Sequence, residues 1–99
     1  MILDTLKKQQ LQALKDKDAV RVSVLRFLIS AIKNKEIEIR TEHRDLTDAD
    51  VAKVLKKQIK QRKYEVDMYR DAGREEQTQK VEAELAILEE IKSLLPEDE

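Results

Sequence analysis

The sequence predicts an all-α fold of four bundled helices, the last two forming an antiparallel hairpin that turns at Gly73. The chain of 99 residues has one glycine and one proline, too few for the turns of an all-β fold. Charged residues make up 41% and aromatic residues 3% of the chain, which is typical of long solvated helices. Disorder is excluded because the apolar residues recur at helical spacing and the net charge is only −1. We therefore expect a single helical domain over residues 1–99.

The first two helices differ in how much of their surface is apolar. The first is predicted from Leu3 to Lys15, and its thin stripe favours a peripheral position. That stripe comprises Leu3, Leu6, Gln10 and Leu14. The second is predicted from Ala19 to Ile39, with Asp18 able to cap it. Apolar side chains, Val20 and Phe27 among them, cover over half of its circumference, so we expect it to be the central helix. Its narrow polar strip is Ser23, Arg26, Ser30, Lys33 and Asn34.

The third and fourth helices are bounded by recognisable end signals. Thr47 and Asp50 fit a capping box at the start of a helix that runs from Asp48 to Asp71. Gly73 suits the left-handed position after a helix end, and the next helix runs to Leu95, before Pro96 and a solvated acidic tail. The third helix should bury Val51, Leu55, Ile59, Val66 and Tyr69. The fourth should bury Val81, Leu85, Ile87, Leu88, Ile91, Leu94 and Leu95.

Arg62 and Glu84 are charged residues within the predicted apolar faces of the third and fourth helices. Each lies eleven positions from Gly73, so an antiparallel turn there brings both to the same height, about 16 Å from the turn. A buried charge needs a partner, and the planar guanidinium suits bidentate pairing with a carboxylate. Two interpretations remain open: the pair fixes the register of the hairpin, or Glu84 orients Arg62 towards a ligand phosphate.

A lysine-rich face on the third helix is the best candidate for a binding surface. Its members span an arc of about 120° at helical geometry. They are Lys53, Lys56, Lys57, Lys60 and Lys63. Such a face can follow a phosphate backbone, although an ordinary solvated face has the same pattern. Arg70, Arg74 and Arg26 are candidates to extend it, and Tyr64 within it would either stack on a base or cover lysine stems. Six glutamates between residues 75 and 90 would repel RNA, which should approach from the other side.

Few residues support catalysis, a metal or a cofactor. The chain has no cysteine, and its single histidine, His43, has no second soft ligand to share a metal with. One glycine cannot form a phosphate-binding glycine loop. We therefore expect no metal, no cofactor and no enzymatic activity in this domain. No apolar run is long enough to span a membrane, and no signal peptide is visible, so a cytoplasmic location is expected.

Several segments, taken in order, resemble the YqeY family. They are residues 21–26 (RVSVLR), 60–62 (KQR), 69–74 (YRDAGR) and 84–88 (ELAIL), closing on Leu95-Pro96. No single segment is specific, but the ordered set spans nearly the whole chain. The resemblance implies an N-terminal helical bundle, with the smaller C-terminal helical domain of the family absent from this chain.

The same resemblance implies a role with tRNA. The family is related to the C-terminal domain of GatB, a subunit of glutamine-dependent tRNA amidotransferases, where the related domain contacts tRNA. The expected function is therefore a non-catalytic tRNA-interacting module. Its implied protein partner is an aminoacyl-tRNA synthetase or an amidotransferase, which is a carbon–nitrogen ligase that uses glutamine as amido donor. The alternative is a helical protein–protein adaptor or a self-associating bundle that binds no nucleic acid.

Overall fold

Four helices account for most of the computed structural model, which describes residues 2–95. They are α1 (Ile2–Lys15), α2 (Ala19–Arg40), α3 (Asp48–Asp71) and α4 (Glu75–Lys92). The helix α2 contacts all three others, whereas α1 packs chiefly on α2, and α3 and α4 pack along each other as a hairpin. The all-α class, the central position of the second helix and the closing hairpin are thus confirmed.

The turn between α3 and α4 is a Schellman motif. The backbone amide of Arg74 donates to the carbonyl of Tyr69 at 2.9 Å, and that of Gly73 donates to Arg70 at 3.0 Å. Gly73 has a φ of +71°, which an L-residue rarely adopts. A similar turn ends α1, where the backbone amide of Asp18 donates to the carbonyl of Ala13 at 3.0 Å. In that turn the left-handed position is occupied by a lysine, Lys17, with a φ of 57°.

The start of α3 is held by a dense set of polar contacts around Asp50. Thr47 accepts a hydrogen bond from the amide of Asp50, and the Asp50 carboxylate accepts from the amide of Thr47 at 2.9 Å, which completes the predicted capping box. Arg44 donates two further hydrogen bonds to the same carboxylate, at 3.0 and 3.2 Å. The Arg44 guanidinium, together with the Thr47 amide, holds the pKa of Asp50 well below its usual range.

The hydrophobic core runs through the middle of the bundle, with α2 contributing the most side chains. The fully buried large residues are Leu6, Leu25, Leu28, Ile32, Ile39, Val51, Leu55, Leu88 and Ile91. The connector between α2 and α3 also contributes, because Leu46 belongs to the same cluster. This core fixes α2 against the α3–α4 hairpin and so sets the width of the groove between α2 and α3.

Several residues lie differently from the sequence prediction. Leu14 is exposed and Ala13 is buried instead, so the inner face of α1 is rotated by one position near its end. Val20 and Phe27 on α2 and Leu94 after α4 are also exposed. The helix α4 ends at Lys92, with a turn over residues 93–94, rather than at Leu95. The predictions that Pro96 ends the last helix and that a solvated acidic tail follows it concern residues outside those described.

Candidate nucleic-acid interface

Four of the six glutamates of α4 are paired with cations from the other helices. Glu82 accepts a hydrogen bond from Arg70 at 2.8 Å, and Glu89 lies 3.7 Å from the ammonium of Lys63. Glu90 accepts a hydrogen bond from Arg21 of α2 at 2.9 Å, which raises the pKa of that guanidinium. The separation of basic residues on α3 from acidic residues on α4 therefore helps to hold the two helices together through ion pairs. Basic residues of α3 and acidic residues of α4 face each other across the hairpin, which opposes their use by an external phosphate.

Arg62 lies where α2, α3 and α4 meet, and its side chain is 14% exposed. Its Nε is 3.8 Å from the Glu84 carboxylate, so the two residues meet across the hairpin but at more than hydrogen-bond distance. The hydrogen bond goes instead from Arg62 Nη1 to Glu65 of the same helix, at 2.9 Å. Arg62 also lies over the Phe27 ring, with 5.7 Å from Cζ to the ring centroid. The geometry is thus an arginine shared by two carboxylates and a ring, not the expected bidentate pair.

The lysines of α3 are all exposed but divide between two sides of the helix. On one side, Lys56, Lys60 and Lys63 line a shallow depression with Lys92 of α4. On the other side, Lys53 and Lys57 line a groove between α2 and α3. Within residues 2–95, Lys53 and Lys57 form no ion pair or side-chain hydrogen bond, in contrast to Lys63.

The groove between α2 and α3, here called the α2/α3 groove, has a volume of about 470 Å³. It is lined by Phe27, Ala31, Asn34, Lys35, Glu38, Lys53, Val54, Lys57, Gln58 and Gln61. Its charge is positive, because its single acid, Glu38, lies 3.2 Å from Lys35 and leaves the two α3 lysines uncompensated. Apolar side chains, amides and free ammonium groups therefore share one cleft. That combination suits a ligand with both flat apolar surfaces and phosphates.

The three arginines expected to extend the lysine face do not join this groove. Arg26 lines a separate depression with Leu14 and Val22, next to the end of α1. Arg70 and Arg74 lie at the Gly73 turn, where Arg70 is already paired with Glu82. Tyr64 is 69% exposed but does not line the groove either.

A comparison with known families decides the kinship. The family model described as Yqey-like protein matches residues 3–98. The chain belongs to the YqeY-like family. Among curated proteins it is 34% identical over 91 residues to "Altered inheritance of mitochondria protein 41, mitochondrial" of Kluyveromyces lactis, and 32% identical over 91 residues to the protein of the same name in Lachancea thermotolerans. Each alignment covers 92% of this chain and 48% of the relative, so the chain spans about half the length of these proteins.

The segments that carried the YqeY resemblance lie at places where the hairpin is specified. The segment 69–74 forms the Schellman turn, and segments 60–62 and 84–88 include the facing residues Arg62 and Glu84. The segment 21–26 begins with Arg21, which joins α2 to Glu90 of α4. The resemblance was therefore carried mainly by residues that hold helices in register.

Phe27 is the groove residue that the sequence reasoning assigned wrongly. The sequence places it in the apolar, buried part of α2, yet it is 58% exposed. The spacing held a signal, because Phe27, Ala31, Asn34 and Glu38 recur at helical intervals and form one stripe that is polar over its second half. The apolar residues of α2 are so numerous that this stripe was absorbed into the predicted buried face.

Two further features bear on other kinds of site in this YqeY-like chain. Within residues 2–95, no group of three or more histidine, cysteine, aspartate or glutamate residues is placed to hold a metal ion. Over the same residues, no helix is long and apolar enough to cross a membrane.

Proposed function

We propose that this YqeY-like domain is a non-catalytic module that binds tRNA, and that the α2/α3 groove is its contact surface. The observation that carries the proposal is that Lys53 and Lys57 are available to bind a phosphate. Both are exposed, both line the groove, and neither forms an ion pair within residues 2–95. Phosphate binding by such lysines releases counterions from the RNA and requires no existing ion pair to be broken.

The distribution of acids supports this side of the molecule. The carboxylates Glu82, Glu84, Glu89 and Glu90 all lie on α4 and pair with cations of α2 and α3. Groove residues come from α2 and α3 only. An RNA in the groove would therefore stay away from these four carboxylates.

The implied context is a larger assembly that handles aminoacyl-tRNA, of the synthetase or amidotransferase class. The two curated relatives carry "mitochondrial" in their names. The expected cytoplasmic location stays a prediction for this chain, and the proposed tRNA contact is compatible with either compartment because both contain tRNA.

A second candidate function is a protein–protein adaptor or a self-associating bundle. The observation in its favour is the exposure of Leu11 and Leu14 on α1, beside the apolar depression lined by Val22. Sedimentation at increasing protein concentration, with and without tRNA, separates the two candidates. Self-association that is lost in Leu14→Lys, combined with no RNA binding at low salt, would favour the adaptor.

The direct test is an electrophoretic mobility shift with bulk tRNA at several salt concentrations. We expect affinity to fall steeply with salt, and Lys53→Glu/Lys57→Glu to weaken it the most. Losing two phosphate contacts should reduce the slope of log K against log salt by about 1.5, at roughly 0.7–0.9 for each contact.

Two further double variants change the net charge by the same amount as Lys53→Glu/Lys57→Glu and serve as controls. Lys7→Glu/Lys8→Glu changes exposed lysines of α1 and should have little effect beyond the general change in charge. Lys56→Glu/Lys60→Glu, on the α4 side of the lysine face, should have an intermediate effect. Equal losses in all three variants would mean that net charge, not the groove, governs binding, and no binding even at low salt would refute tRNA association for this domain.

A further inference from the structure

The α2/α3 groove contains one aromatic ring, Phe27, that is exposed to solvent. Exposure of an apolar ring to water is unfavourable for the free domain. Phe27 lines the groove and is 58% exposed, although Leu25 and Leu28 on either side of it in α2 are fully buried. Its ring carries the Arg62 guanidinium at 5.7 Å from the centroid. Because Arg62 is held by Glu65 and Glu84, the ring is supported from the inside of the bundle while much of it remains accessible.

The surroundings of the ring provide the other groups that a nucleotide needs. Lys53 and Lys57 stand on the α3 side of the same groove, at successive turns of the helix, and can each meet a phosphate. Gln61 and Asn34 add amides on the two walls, which can donate to and accept from base edges. A flat ring, two ammonium groups and two amides in one cleft form the set of contacts by which proteins hold unpaired nucleotides.

A duplex does not fit this arrangement as well. The bases of a paired RNA helix are stacked on each other and offer no free face to a phenyl ring, and the duplex is recognised through its backbone and its shallow groove. The α2/α3 groove instead exposes a stacking surface next to its cations. The groups in the groove are therefore better matched to unpaired nucleotides than to a duplex.

We propose that the α2/α3 groove binds an unpaired stretch of RNA, with one base stacked on the open face of Phe27 and the adjoining phosphates on Lys53 and Lys57. This rests on the proposed function, because it specifies which part of a tRNA the groove takes. A base on the outer face and Arg62 on the inner face would sandwich the ring. The selectivity comes from shape and stacking, so a purine should bind better than a pyrimidine.

The chain contains no tryptophan, so Phe27→Trp introduces a single fluorescent reporter at the proposed stacking position. The probe is a single-stranded oligoadenosine of about twelve nucleotides, within the site sizes of single-strand binders, compared with the same strand annealed to oligouridine. We expect tryptophan emission to be quenched by the single strand and much less by the duplex. Tyr64→Trp is the matched control, exposed on α3 but outside the groove lining, and should be quenched little.

Affinity measurements with a fluorescently labelled strand complete the test. Phe27→Leu should weaken single-strand binding on the order of 10-fold, whereas Phe27→Trp should retain or improve it. Circular dichroism establishes that the Leu variant is folded, which its exposed position favours. Salt-sensitive binding of RNA without quenching at residue 27, and with Phe27→Leu equal to the parent, overturns this inference and leaves the proposed function standing. No binding of any RNA at low salt overturns both, and binding of the duplex as tight as the single strand overturns the selectivity.

Discussion

Replacing Arg62 by methionine should destabilise the domain, and replacing Glu84 by leucine in addition should restore most of the loss. The Arg62 hydrogen bond to Glu65, at 2.9 Å, should add at most about 1 kcal/mol to the loss, because Glu65 is 28% exposed and water can replace the guanidinium. The attraction to Glu84 across 3.8 Å is about 4 kcal/mol at an effective dielectric of 20, before desolvation is subtracted. Desolvation removes much of this, since the two side chains are 14% and 17% exposed. We expect a net cost of about 2–3 kcal/mol for Arg62→Met.

The double variant is the informative one. Arg62→Met leaves the Glu84 carboxylate largely buried without its cation, and much of the cost comes from that stranded charge. Adding Glu84→Leu removes it, so the double variant should lie within about 1 kcal/mol of the parent. Urea unfolding followed by circular dichroism gives all three free energies, together with Glu84→Leu alone to close the cycle. A single variant costing less than about 0.5 kcal/mol, or additive costs in the double, would refute the reasoning.

The same double variant decides between the two interpretations of the pair. The geometry favours a structural role, because Arg62 is mostly buried and its hydrogen bond is used within α3. We expect the double variant to bind tRNA within about threefold of the parent, the difference reflecting the lost cation behind the Phe27 ring. A folded double variant that has lost tRNA binding would instead assign Arg62 to the ligand.

The remaining predictions concern stability at the helix ends. Gly73→Ala should cost about 1–2 kcal/mol from backbone strain alone, because the φ is +71° and nothing lies within 4 Å of the added Cβ. Lys17→Gly should stabilise the domain by about 0.5–1 kcal/mol, since it relieves the same strain at φ 57°. Asp50→Asn should destabilise the domain at pH 7, and its difference from the parent should shrink as pH falls from about 5 towards 2. The direction follows because Arg44 and Thr47 lower the pKa of Asp50 in the folded state, so that its contribution is present above the unfolded pKa and is lost on acidification. Urea titrations over this pH range measure it, and a difference that grows on acidification would contradict the assignment.

The elements that the sequence predicted well are those with local chemical causes. The helix α3 is fixed at its start by the capping box of Thr47 and Asp50 and at its end by Gly73. Its observed bounds agree with the prediction. The end of α4 is less well determined, because apolar residues continue past Lys92 and mask the point where the helix stops. Periodicity finds a helix face but does not mark where its hydrogen bonding ends.

The candidate site was less predictable because it depends on packing between helices. The lysine arc of α3 follows from helical geometry alone, but its division into two sides depends on where α2 and α4 lie. The pairing of Lys63 with Glu89 likewise requires the register of the hairpin. Phe27 was misassigned for the same reason, because a wheel that is apolar over most of its circumference does not show which apolar side chain the neighbours leave uncovered.

The most direct test of the central claim is to map the RNA contact on the folded chain by nuclear magnetic resonance. Backbone amide shifts would be recorded as tRNA, and separately single-stranded oligoadenosine, is added at low salt. We predict that the shifts concentrate around Phe27, Ala31, Lys53, Lys57 and Gln61, and that the amides of α4 change little. Shifts centred on α1 or α4, or none at all, would contradict the assignment of the α2/α3 groove as the RNA-binding surface.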